Sequence, residues 1–127
     1  MIPAGLVVAA IAALVHCFIF YLESIAWTSP RSRATFGTTA ETAEVTRPLA
    51  FNQGFYNLFL AVAVFLGLAL FGPQRAVGAT LILVGVGSML AAALVLALSD
   101  RTKLRAAIVQ GSAPLVAVIA LTVGLIA

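Results

Sequence analysis

The side chains of this sequence that can do chemistry are few, and most of them lie within or beside long apolar stretches. His16, Glu23 and Trp27 follow one another at intervals of seven and four residues, which places them on one stripe of an α-helix. An imidazole and a carboxylate in a medium of low dielectric are suited to proton transfer, and equally to holding a structural hydrogen-bond network. His16 and Glu23 are about 10 Å apart along such a helix, so water, a ligand or an amide must lie between them. If the protein is an enzyme, these two are the predicted catalytic residues.

The segment "NQGFYNLFLA", residues 52–61, places a second polar group at the start of an apolar stretch. Polar side chains inside a membrane cost free energy, so their positions are informative. Four hydrogen-bonding side chains of this segment share one helical face: Asn52, Gln53, Tyr56 and Asn57. Such a face either lines a site or joins neighbouring helices by hydrogen bonds worth about 1 kcal/mol each.

The polar groups of separate segments converge on one half of the protein. Three polar residues lie five to nine residues inward of the charge or proline that borders their apolar stretch: His16, Asn57 and Gln110. At 1.5 Å per residue, their depths below that border are about 7–14 Å. The other half holds little that is polar besides Thr80 and Thr122. We therefore predict one small chamber that His16 and Glu23 share with the ligand-binding residues Trp27, Asn52, Gln53, Tyr56, Asn57 and Gln110.

The sequence predicts neither a metal site nor a cofactor. One histidine, the single Cys17 and scattered carboxylates do not make a known ligand spacing. The pI of about 9.8 would suggest a nucleic-acid partner in a soluble protein, but here the basic residues flank apolar stretches, where they set membrane topology. Nucleic-acid binding is therefore not predicted.

Four helices must position these residues. The chain is 63% hydrophobic and only 9% charged, which lies far outside the composition of a soluble domain. The charges leave four uncharged stretches, residues 1–22, 48–74, 76–99 and 106–127, each of at least 22 residues. About 20 residues suffice to cross the hydrocarbon core as a helix. The sequence thus predicts an all-α fold, a four-transmembrane-helix bundle.

The predicted helices cover about residues 2–27, 50–71, 76–98 and 104–126 of a single integral membrane domain, residues 1–127. A long loop joins helices 1 and 2, in which Thr38 and Glu41 suggest a capping box for a short surface helix that Pro48 would end. On helix 3, a ridge of small residues predicts a packing seam: Gly78, Gly85, Ser88 and Ala92.

The distribution of basic residues predicts the orientation. The connections after helices 1 and 3 hold six arginines and lysines, whereas the opposite side has only Arg75. The positive-inside rule then puts those two connections in the cytoplasm and both termini outside the inner membrane.

Three segments, "HCFIFYLESIAW", "NQGFYNLFLA" and "IVQGSAPL", resemble the conserved segments of the domain of unknown function 1304 family, small bacterial integral membrane proteins. The likeness extends over nearly the whole chain. This chain departs from the family pattern at Pro114, which comes one residue later after Gln110-Gly111. The resemblance implies that the polar residues named above form a shared site, and it names no activity.

Three functions are compatible with these observations. The first is a cytoplasm-facing pocket that binds a small lipophilic or amphipathic molecule, with acid/base chemistry left open. The second is an oligomeric transporter or channel, since four helices seldom enclose a pathway alone. The third is a structural or assembly subunit, in which the polar faces only specify helix pairing. Membrane lipids are the expected surroundings in all three, and homo-oligomerisation is left open.

Overall fold

In a computed structural model, which describes residues 1–127, four long helices form an antiparallel ring. The helices are α1 (Ile2–Phe20), a short α2 (Pro30–Phe36), α3 (Ala40–Leu70), α4 (Arg75–Ser99) and α5 (Leu104–Ile126). No strand is present, and the four long helices are each long and apolar enough to cross a membrane. The predicted all-α class with four membrane-capable helices is confirmed.

The ring order is α1, α3, α4 and α5, and α5 packs against α1 again. Small side chains bring the helices close, since Ala9, Ala12 and Ala13 of α1 are fully buried beside Val64 and Ile82. Alanine at these positions lets helix backbones approach and gain dispersion energy, which replaces the hydrophobic effect inside a bilayer. The core is therefore apolar over its middle turns.

The predicted ridge of small residues on α4 contacts α3 closely at two of its four positions, Gly78 and Gly85. A Cβ atom on Gly78 would lie 2.5 Å from the Cα of Phe71, and one on Gly85 would lie 2.5 Å from a Val64 methyl. Both glycines are buried, whereas Ala92 is exposed and lies outside this contact. The seam thus depends on glycine, because any side chain at Gly78 would meet backbone atoms.

The last turn of the first helix is wider than an α-helical turn. Residues Tyr21–Ile25 continue α1 as a π-helical turn, closed by a 2.9 Å hydrogen bond from the Ala26 N–H to the Tyr21 carbonyl. Such turns occur mostly as single insertions in α-helices and are frequent at functional sites. Glu23 is at the centre of this one.

The segment predicted as a long loop is largely helical. Helix α2 begins at the N-cap Ser29 and ends at Gly37, whose φ of 64° is left-handed and favours glycine. The amino group of Lys103 donates hydrogen bonds to the carbonyls of Phe36 and Gly37, so it holds the end of α2 against the turn between α4 and α5.

Helix α3 begins at Ala40 rather than near residue 50, with Thr39 instead of Thr38 as its N-cap. Pro48 lies inside α3 and does not end a helix there. A proline removes one helical hydrogen bond, here to the carbonyl of Glu44. Both residues are exposed at this end of the helix, where water can satisfy that carbonyl.

The bundle end that carries α2, the start of α3 and the turn between α4 and α5 is called the α2 end below. Both termini and the turn at residues 71–74 lie at the opposite end.

Candidate functional site

The first contact of the candidate site joins Glu23 to Asn57. The amide Nδ2 of Asn57 donates a 2.8 Å hydrogen bond to Oε2 of Glu23 and a 3.2 Å bond to the carbonyl of Gln53. The carboxylate comes from the π-helical turn and the amide from α3, so the bond crosses between neighbouring helices. Two of the predicted site residues are thereby brought together.

Two more hydrogen bonds fix the same pair of helices. The hydroxyl of Ser24 donates to the carbonyl of Phe51 at 2.8 Å, and the indole N–H of Trp27 donates to the carbonyl of Ala43 at 2.9 Å. Gly54 makes the approach possible, since a Cβ there would lie 2.1 Å from the Ser24 oxygen. A larger residue at this position would displace the Ser24 hydroxyl and press against the Glu23 Cβ and the Phe20 carbonyl.

A cavity of about 390 Å³, here called the Glu23 cavity, opens beside these bonds. Its wall combines a carboxylate, a guanidinium, two hydroxyls, an indole ring and apolar groups: Glu23, Ser24, Ile25, Trp27, Thr28, Arg47, Pro48 and Phe51. Arg47 also lies 3.6 Å from Glu44 on the exposed surface of α3, which is the only ion pair between side chains in the protein. Glu23 has no cationic partner.

His16 lies apart from this cavity. Its side chain is only 2% exposed, and Nδ1 donates a 2.9 Å hydrogen bond to the carbonyl of Ala12 in the same helix. That bond fixes the ring against its own helix and leaves Nε2 as the free position of the neutral tautomer. His16 does not line the Glu23 cavity, and no hydrogen bond joins it to Glu23.

The other predicted ligand-binding residues are divided between two places. Asn52, Gln53 and Tyr56 are exposed on the outer surface of α3. Gln110 lines a second cavity of about 380 Å³ between α1, α2 and α5, which does not contain Glu23. The chamber expected from the sequence is therefore separated into a Glu23–Asn57–Trp27 cluster, a buried histidine and a distinct cavity at Gln110.

Several lining residues were not predicted. Ser24 and Thr28 were missed because short hydroxyl residues are common beside membrane spans, although both occur next to residues that were identified. Gly54 lies inside the segment that was singled out, but only the separation of α1 and α3 shows its role. No three histidine, cysteine, aspartate or glutamate side chains lie close enough together to hold a metal ion.

Comparison with known proteins gives one match. A family model described as protein of unknown function (DUF1304) matches residues 10–122, which is most of the chain, so the chain belongs to this family. The match includes His16, Glu23, Asn57 and Gln110, and the family description states no activity. No curated protein and no solved structure matches the chain.

Proposed function

We propose that this member of the DUF1304 family binds a small amphipathic molecule at the α2 end, with Glu23 accepting a hydrogen bond from the polar group of that molecule. The observation that supports this most is the environment of Glu23. One carboxylate oxygen is held by a neutral amide, no cation pairs with it, and the side chain lines an open cavity. An acidic residue in a membrane-spanning segment is costly, and it marks a ligand or ion site by default.

The lining of the cavity indicates the class of ligand. The carboxylate and two hydroxyls favour a group that donates hydrogen bonds, and the guanidinium of Arg47 in the same wall favours a neutral donor such as an alcohol over a charged amine. The indole ring of Trp27 and the side chains of Ile25 and Phe51 favour an apolar or aromatic body. A volume of about 390 Å³ falls within the range of small-molecule sites, which is about 300–1,000 Å³.

The proposal is limited to binding. Proton transfer between His16 and Glu23 would need both side chains at one ligand, and His16 is buried outside the Glu23 cavity. Transport would need a polar path across the membrane, whereas the middle of the bundle is filled by fully buried alanine, valine and isoleucine. A transport function would therefore need an oligomer.

We also propose that the α2 end faces the cytoplasm of a bacterial inner membrane. Six of the seven basic residues lie at this end and only Arg75 lies at the other, which is the distribution that the positive-inside rule describes. The termini are then outside, and the ligand enters from the cytoplasmic leaflet.

Trp27 is the sole tryptophan and lines the Glu23 cavity, so its fluorescence can report binding. Amphipathic amines and alcohols are titrated into the protein in detergent micelles, with tryptophan fluorescence and the melting temperature as readouts. We expect Glu23→Gln to weaken binding about tenfold or more, because a hydrogen bond to a charged group contributes about 1.5–3 kcal/mol. Glu41→Gln, which removes an exposed carboxylate of α3 outside the cavity, is the matched control.

A second function, a purely structural one, is favoured by the hydrogen bonds of Ser24, Trp27 and Asn57 that join the end of α1 to α3. It predicts that Asn57→Ala lowers the melting temperature and that no compound restores it. Binding that is equally strong in wild type, Glu23→Gln and Glu41→Gln would refute the ligand proposal.

A further inference from the structure

The second cavity, between α1, α2 and α5, has a charge and a shape unlike those of the Glu23 cavity. It has a volume of about 380 Å³, and its polar lining is basic: Arg31 from α2 and Arg105 from the first turn of α5, with Thr35 and Gln110. No acidic side chain lines it. The remainder of its wall is apolar.

The positive charge at this cavity is not neutralised within the protein. Neither arginine takes part in an ion pair, since the only pair between side chains joins Arg47 to Glu44. Arg105 also lies at the amino-terminal end of α5, where the helix dipole is positive and where no acidic residue is present in the first turn. Two cations held at such a place are compensated best by an anion from outside.

The apolar part of the cavity reaches the surface of α1 and α5 that faces lipid. The side chains of Phe18 and Val109 line it and are 41% and 62% exposed. The guanidinium of Arg31 lies 5.0 Å from the centre of the Phe18 ring, so the charged group is held at the edge of this apolar surface. A ligand that enters from the lipid side would first contact the apolar side chains of Phe18 and Val109 and would reach the two arginines at the far end of the cavity.

We propose that this cavity binds the phosphate of an anionic phospholipid between Arg31 and Arg105, with an acyl chain lying along Phe18 and Val109. Guanidinium groups bind phosphate through paired charge-assisted hydrogen bonds, and basic pockets between transmembrane helices bind lipid head groups. None of the residues that line this cavity belongs to α3, and none of them lines the Glu23 cavity. The proposed site does not depend on ligand binding in the Glu23 cavity.

Native mass spectrometry from detergent tests this inference, with dioleoyl phosphatidylglycerol and dioleoyl phosphatidylcholine added in equal amounts. We expect preferential retention of one phosphatidylglycerol. Arg31→Gln and Arg105→Gln should each weaken that binding about tenfold or more, because each removes a charge-assisted hydrogen bond to the phosphate. Arg101→Gln, an exposed arginine at the same end that does not line the cavity, should leave it unchanged.

Neither arginine is buried, so both variants should fold like the wild type. The melting temperature of each variant in lipid-free detergent checks this. The inference is overturned if Arg101→Gln weakens binding as much as Arg31→Gln, since diffuse surface charge would then explain it. It is also overturned if phosphatidylcholine is retained equally, or if glycerol phosphate without acyl chains binds as tightly as the lipid.

Discussion

Gly54→Ala offers a stringent test of how closely α1 and α3 approach. The added Cβ would lie 2.1 Å from the Ser24 oxygen and 3.1 Å from both the Glu23 Cβ and the Phe20 carbonyl oxygen. The Ser24 hydroxyl can rotate away, but it then gives up its hydrogen bond to Phe51, which contributes about 1 kcal/mol. The other two contacts require the neighbouring atoms of α1 to move away by a few tenths of an ångström.

The expected change in stability is the sum of two destabilising effects and one stabilising effect. Overpacking costs about 1–3 kcal/mol, and the lost hydrogen bond costs about 1 kcal/mol. Alanine returns about 1 kcal/mol, because it is a better helix former than glycine. We expect a net loss of about 1–3 kcal/mol in the free energy of unfolding, measured by SDS titration in mixed micelles with circular dichroism as the signal.

Gly87→Ala is the matched control, because a Cβ at this glycine of α4 meets nothing within 4 Å. It should be neutral or stabilising by up to about 1 kcal/mol. Ser24→Ala should cost about 1 kcal/mol in the wild-type chain and almost nothing when combined with Gly54→Ala, since the bond is then already lost. The close approach is refuted if Gly54→Ala and Gly87→Ala unfold within about 0.5 kcal/mol of each other.

Three further predictions concern other contacts. Gly78→Ala should lower the free energy of unfolding by more than Gly54→Ala does, since its Cβ would meet backbone atoms of Phe71 at 2.5 Å that cannot rotate away; equal SDS unfolding curves would contradict this. Lys103→Ala should speed hydrogen exchange in the last turn of α2, which loses its side-chain donor, and should leave exchange in α4 unchanged. The hydroxyl and N–H of Thr102 hold the pKa of Asp100 below its ordinary value of 3.8. Because the pKa is lower in the folded state, this stabilisation is present above that value and is lost as the pH falls through the folded-state pKa. Melting temperatures of wild type and Asp100→Asn should therefore differ at neutral pH and converge in acid; a constant difference would contradict the prediction.

Local sequence patterns were sufficient to predict the four long helices but not the residue at which α3 begins. The apolar stretches predicted four helices because they lack the polar and apolar alternation of β-barrel strands, and helices are then the arrangement that satisfies every backbone group across a membrane. The start of α3 was not predicted, since Pro48 reads as a helix end when only the chain is considered. Its tolerance inside α3 depends on exposure of the preceding turn, which is a property of the assembled bundle.

The stripe that joined His16 to Glu23 illustrates the limit of helical periodicity. The spacing predicts one face if the helix stays α-helical throughout, but the π-helical turn at Tyr21–Ile25 holds an additional residue and rotates the side chains beyond it. Glu23 lies within this turn and meets Asn57 of α3, while His16 bonds to its own helix. The role of Glu23 as a site residue is a prediction that Glu23→Gln tests, and the role of His16 stays a prediction.

Composition and charge spacing by themselves determined the all-α class, the four membrane-capable helices and the end of the bundle at which polar groups collect. These features follow from whether each segment is apolar enough to lie in hydrocarbon, and that depends on the composition of one segment at a time. The tertiary structure decided which polar groups meet: Glu23 with Asn57, Ser24 with Phe51, and Arg31 with Arg105 around one cavity. Such pairings depend on the rotation and separation of helices that are distant in sequence, and Gly54 permits the close approach of α1 and α3 beside Glu23 and Ser24.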